Sequence, residues 1–198
     1  FMAIGAYSGA IIGDKIEGLP GFFAGLFVGL FISIVVALIV GIPTLRLKGD
    51  YLAIATLGVA EIIRILILNM GDLTNGARGI SGISFPFESN MSFIMVLFLI
   101  VIVTSIITIN YILSSPGRAT IAIREDEIAA ESMGVNATTY KVIAFMIGAA
   151  TASIAGSLYG TYFSVITTGD FTFQKSIDVL IIDVFAGIGS VKGTIVTV

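Results

Sequence analysis

Residues 21–42 read GFFAGLFVGLFISIVVALIVGI, without one Asp, Glu, Lys or Arg. A hydrocarbon core about 30 Å thick is crossed by a helix of roughly 20 apolar residues. This run has that length and carries no charge to keep hydrated. A helix on the surface of a soluble protein needs a polar face, and none can be drawn here, so lipid is the solvent. Small residues recur at every fourth position: Gly21, Gly25, Gly29, Ser33, Ala37 and Gly41. On a helix they make a flat stripe that admits a second backbone, which is how helices associate where lipid supplies no hydrophobic drive.

The chain on either side repeats the pattern. Further apolar runs occupy 1–13, 51–69, 91–113, 139–163 and 177–198. Over all 198 residues the mean hydropathy is +1.08, with 57% apolar and 12% charged residues, about half the charge of a soluble domain. The expected fold is all-α: a polytopic helical membrane bundle of about five to six transmembrane segments, forming one domain over 1–198. The chain opens at Phe1 and closes at Val198 inside apolar runs, so it is expected to be a fragment, truncated at both ends. Spacings of four also give Ala144, Gly148, Ala152, Gly156 and Gly160, and Gly5, Gly9 and Gly13. Run 91–113 has no such stripe and is expected to face lipid, with the striped helices packed inside.

Composition excludes several chemistries. Cysteine and histidine are both absent, which removes thiol nucleophiles, disulfides, the commonest general base and the usual metal ligands. No metal, catalytic residue or cofactor is expected. The net charge of −3 is too small and too scattered to suggest nucleic acid. An intramembrane aspartyl enzyme would need two facing aspartates, whereas Asp178 and Asp183 share one helix. An ATP-independent channel or secondary transporter stays open as a reading of another class.

Orientation follows from basic residues in the connections. If 51–69 spans and 114–136 is cytoplasmic, then Arg46, Lys48, Arg118, Arg124, Lys141 and Lys192 lie inside, and Lys15, Arg78 and Lys175 outside. A re-entrant 51–69 would weaken that bias.

Three features are candidates for function. Glu61 and Arg64 stand three residues apart inside 51–69, on one helical face where they can pair. Charges at that depth are costly unless paired or wetted, so they either line a polar path with Thr56 or fix helix packing. Asp50 is read as the N-cap of that helix. Loop 71–82 holds four glycines with polar neighbours, and Asn75, Gly76 and Gly79 are candidates for the same path; a plain flexible connection is the competing reading. The third is 114–136. Ser115 and Pro116 start a short amphipathic helix, Gly134 stops it, and Asn136 caps the next span. Ile121, Ile128, Ala129 and Met133 form its apolar stripe. Helices that lie on lipid are usually basic, but here Glu125, Asp126, Glu127 and Glu131 outnumber Arg124. That suits docking to a partner protein.

The runs RLKGDYLAIATLGVAEIIRILILN (46–69), LTNGARGISGI (73–83) and SSPGRATIAIREDEIAAESMGVNATTYKVIAF (114–145), in that order, resemble the permease subunits of branched-chain amino-acid ABC importers, the LivM-like type above all. Ala129-Ala130-Glu131-Ser132-Met133-Gly134 stands where such importers carry the loop that docks as a coupling helix in a cleft of the ATP-binding subunit. The docking residues implied are Arg124, Glu127, Ala129, Ala130, Glu131 and Gly134. The sequence departs from the pattern at Ile128, where the motif has glutamate, at Ala186, in a stretch expected to hold two glycines, and at Asp183, a charge in an apolar run. The resemblance implies a second homologous permease, two ATP-binding subunits that hydrolyse ATP, and an extracytoplasmic solute-binding protein delivering leucine, isoleucine or valine. It places the chain in a prokaryotic cell membrane among lipid. The same architecture also serves urea and other small polar solutes. No G-x-x-x-x-G-K-[ST] phosphate loop occurs, so ATP is expected to bind elsewhere.

Overall fold

The computed structural model describes residues 1–186 other than Glu17, Lys48, Ser84 and Glu88. Its helices are α1 (Met2–Lys15), α2 (Leu19–Thr44), α3 (Asp50–Asn69), α4 (Gly71–Thr74), α5 (Asn90–Leu113), α6 (Ser115–Glu125), α7 (Glu127–Ser132), α8 (Ala137–Phe163) and α9 (Phe173–Ala186). The fold is an all-α polytopic bundle. Helices α2, α3, α5 and α8 are long and apolar enough to cross a membrane; the first run forms the 14-residue α1, and the described part of the last run lies in α9. The expectations for residues 187–198, Lys192 among them, and for the side of the membrane on which Lys48 lies fall outside the described residues, as does the charge of Asp183.

Three helices make the interior. α1, α2 and α8 pack on one another, and the whole small-residue row of α2 is buried. A row at every fourth residue drifts around a helix of 3.6 residues per turn, so the α2 row passes from one neighbour to the next. Gly25 meets Gly9 and Gly29 meets Gly5 on α1, whereas Gly41 meets Phe145 on α8. Between them, Ser33 Oγ donates to the Ala149 carbonyl at 2.9 Å. α1 and α8 touch backbone to backbone: a Cβ on Gly5 would overlap the Ser153 carbonyl, and one on Gly156 the Met2 carbonyl.

The α8 stripe needs a correction. Its buried small residues are Ala137, Ala149, Ser153, Gly156, Ser157 and Gly160. Gly148 is exposed, and among the described residues no atom beyond its own stretch of helix lies within 4 Å of a Cβ built there. The same drift explains it: the row that fits α1 near Gly156 has turned outward two turns earlier.

Most of α5 is exposed and Phe93 is its one buried residue among those described, as its lack of a small-residue stripe predicts; Val96, Leu97 and Ile100 are half-buried against the rings at its start. A ring cluster pins its start, with Phe87 5.4 Å from Phe22 and 5.3 Å from Phe93. At that end β1 (Ile80–Ser81) pairs antiparallel with β2 (Val165–Ile166). α6 and α7 occupy the opposite end, between α5 and α8. α3 is continuous from beside Val40 and Phe145 to Ile67, which packs with Ala10, Ile83 and Ile166. It therefore runs the full length of the bundle and is not re-entrant. Its N-cap is Gly49, at φ +59, and Asp50 is the first helical residue.

Candidate functional site

The segment expected to be one docking helix is two. α6 ends at Glu125, and Asp126 is extended (φ −154, ψ 107). Its carboxylate accepts from the amides of Ile128 at 2.9 Å and Ala129 at 3.0 Å, capping α7. A side chain that satisfies free amides at a helix start favours starting a new helix over continuing the old one. The cap of α6 is Ser114, which accepts from Gly117 N, with Pro116 inside the first turn; Ser115 is already helical. Gly134 has φ +84 and ends the segment as expected. Asn136 Oδ1 accepts from Thr139 N and caps α8.

The two helices expose the side that periodicity marked as apolar. Ile128 and Met133 are 73% and 84% exposed, and Ile121 is exposed too. What holds the segment to the bundle is a different set: Ile123, Ala130 and Ala137, with Val135 and Tyr140 against them. Ala130 is 6% exposed, so its expected place on a docking surface is corrected. Lys141 Nζ reaches Glu127 Oε2 at 2.7 Å, both side chains mostly covered. Glu127 thus fastens α7 to α8. Arg124 pairs with Glu125 at 2.7 Å in the open, and Ala129, Glu131 and Gly134 are exposed.

The path candidates divide among three places. Glu61 and Arg64 pair in the second half of α3, Arg64 Nε donating to both carboxylate oxygens at 3.0 Å and Nη2 to one of them. Their side chains remain 47% and 28% exposed. Thr56 sits on the inward face, its hydroxyl satisfied by the Leu52 and Ala53 carbonyls. With Phe1, with Val59, Ala60 and Ile63 of α3, with Val40 of α2 and with Phe145 of α8 it lines an apolar cavity of about 90 Å³. Asn75, Gly76 and Gly79 line an open depression of about 520 Å³ at the β1–β2 end, with Arg78 and Ser81. Gly79 has φ +70, and its Cα lies against the Ile166 carbonyl, a contact that only glycine allows.

Residues 1–198 match the family described as the branched-chain amino acid transport system permease component. The chain belongs to that family. The high-affinity branched-chain amino acid transport system permease protein LivM of Salmonella typhimurium is 37% identical over 219 residues, covering 96% of this chain and 51% of that protein. The protein of the same description in Escherichia coli K12 is 36% identical over the same shares. The chain spans about half the length of the curated relatives it matches. No solved structure matches. Family and helices together make this a multi-pass inner-membrane protein of a permease family.

Sequence reading missed Lys141 as an anchor and Val40 and Phe145 as cavity walls. Lys141 lies 14 residues from Glu127, and no helical period links them. Only the α7–α8 turn brings them together.

Proposed function

We propose that this chain forms part of the membrane-spanning permease of an ATP-binding-cassette importer that moves leucine, isoleucine and valine. ATP is hydrolysed on two separate subunits that grip the exposed side of α6 and α7. A second homologous permease completes the path, and an external binding protein delivers the solute. The α6–α7 end faces the cytoplasm. This assignment of sides draws support from Arg46, Arg118, Arg124 and Lys141 at that end, against Lys15, Arg78 and Lys175 at the other.

The observation that carries the reading is the exposure of Ile128 and Met133 on a helix that is capped at Asp126 and anchored at Ala130 and Lys141. An apolar edge that the protein holds rigid outside its spans, and leaves uncovered, marks a protein contact. The exposed Glu61–Arg64 pair supports a polar path or subunit seam along α3, because charges at mid-span do not face lipid unaided. With Thr56 and with Asn75, Gly76 and Gly79 at the far end, it marks the route assigned to the solute. Gly148, open on the outer face of α8, leaves room for the second permease.

The test replaces Ile128 or Met133 with Arg in the assembled transporter and measures ATP hydrolysis and leucine uptake together. Loss of both, with the permease still folded, is expected. Normal coupled uptake in both variants overturns the docking role.

A further inference from the structure

The corner between α5 and α6 is tied three ways. Ser114 Oγ donates to the Tyr111 carbonyl and accepts from Gly117 N at 3.2 Å. Gly117 is buried, and a Cβ on it would overlap the Tyr111 and Ile112 carbonyls. The Tyr111 phenol oxygen lies 2.8 Å from Thr120 Oγ1, both residues half-buried. A threonine hydroxyl has one proton, and Thr120 gives its own to the Pro116 carbonyl at 2.9 Å, so Tyr111 is the donor. A turn at Ser114 alone would leave two soft dihedrals per residue; the three ties remove that freedom and make α5 and α6 one bent rod. Resting on the reading that ATP-binding subunits grip α6 and α7, we propose that the Tyr111–Thr120 joint carries their displacement into α5, which tilts as a lever about the ring cluster at its other end.

α5 is held at its ends and free between them. At its start Phe93 stacks on Tyr162 at 5.9 Å and meets Phe87 at 5.3 Å, with Val96, Leu97 and Ile100 packed alongside. From Val101 to Asn110 no residue is buried, and Thr104 and Thr108 give their hydroxyls to carbonyls of α5 itself. Among the described residues, no cross-helix hydrogen bond of that stretch has to break when it swings. α8 is different. From Ala149 onward it is fixed by Ser33 and by the backbone contacts of Ser153 with Gly5 and of Gly156 with Met2, and close packing of that kind does not deform smoothly. Ile123, Ala130 and Ala137 bind α6 and α7 only to the first turn of α8, well short of Ala149. A pull on α6 and α7 is therefore resisted by the upper part of α8 and yields at α5. From Phe93 to Tyr111 the arm is about 27 Å long at 1.5 Å per residue.

The experiment uses the assembled importer, with its binding protein and ATP-binding subunits, in proteoliposomes, and reads radiolabelled leucine taken up per ATP hydrolysed. Tyr111→Phe removes the donor and keeps the ring; Thr120→Val removes the acceptor and keeps the shape. Each is expected to lower the ratio about threefold, the order set by one neutral hydrogen bond, while hydrolysis continues. The double variant should fall no further, because both changes delete the same bond, and Thr120→Ser, which keeps the oxygen, should hold the ratio. A purely structural bond would lower the melting temperature and leave the ratio alone, and that result overturns the lever. The chain has no cysteine, so spin labels at Ile107→Cys on α5 and Ala155→Cys on α8, both exposed, report the tilt directly. Their separation is expected to change between nucleotide-free and ATP-bound importer, and to change less in Tyr111→Phe. A separation that ATP does not alter also overturns the lever. If the unaltered importer moves no leucine with ATP, the function proposed above falls and the lever with it; if it does and every variant keeps the ratio, only the lever falls.

Discussion

Lys141 Nζ and Glu127 Oε2 are 2.7 Å apart and join α7 to the first turns of α8, both side chains mostly covered. With Ile123, Ala130 and Ala137 packed alongside, the bond makes α7 and the start of α8 one body. Lys141→Met would leave a half-buried carboxylate without this partner, a loss of about 1.5–3 kcal/mol from the docking of α7. Faster amide exchange over 127–132 is the expected readout. Glu127→Gln combined with Lys141→Met removes both charges and should recover part of the protection. Unchanged exchange in Lys141→Met would sink the idea of a clamp.

The break between α6 and α7 depends on the Asp126 carboxylate. Asp126→Ala removes the acceptor for the Ile128 and Ala129 amides, at a cost of about 0.5–2 kcal/mol. Those two amides should exchange first, while Asp126→Asn keeps most of the protection. An uninterrupted helix over 115–132 in Asp126→Ala would show that the cap alone divides the segment.

The α1–α8 contact should be intolerant of any side chain at two places and indifferent at a third. Gly5→Ala and Gly156→Ala put a methyl into a facing carbonyl, and overpacking of this kind costs about 1–3 kcal/mol. Gly148→Ala meets nothing and should be neutral or slightly stabilising, since alanine is the better helix former. Thermal unfolding in detergent separates the three. Equal melting temperatures would mean the helices are not in backbone contact.

Gly79 combines a positive φ with the Ile166 carbonyl against its Cα, so Gly79→Ala should part β1 from β2. Gly49→Ala tests the backbone alone, because Gly49 also has positive φ but open space around it. That strain costs about 1–3 kcal/mol, and Gly79→Ala should cost more. Limited proteolysis over 76–82 should quicken in Gly79→Ala and not in Gly49→Ala. The reverse order would contradict the strand pairing.

Much of this was legible along the chain. The uncharged run 21–42 requires a span in any bilayer, and its row of small residues, Gly21 to Gly41, is buried without exception. The cap that the Asn136 side chain makes with Thr139 and the left-handed stop at Gly134 could be read locally, because both depend on residues only a few positions apart. Ser115 was off by one, since two adjacent serines offer the same oxygen and only the backbone decides between them.

What the sequence alone determined is the solvent and the local geometry: lipid outside, helices inside it, a left-handed stop at Gly134 and a charge pair one turn long at Glu61 and Arg64. Each depends on composition or on neighbours along the chain. Tertiary structure decided which side of each element is covered. It turned Gly148 outward, sank Ala130 and freed Ile128 and Met133, and it brought Lys141 to Glu127 and Val40 and Phe145 to Thr56. Lipid leaves apolar residues content on either side of a helix, so hydrophobicity cannot say which way they face. Only the close approach of particular backbones, Gly5 on Ser153 and Gly156 on Met2, selects one arrangement.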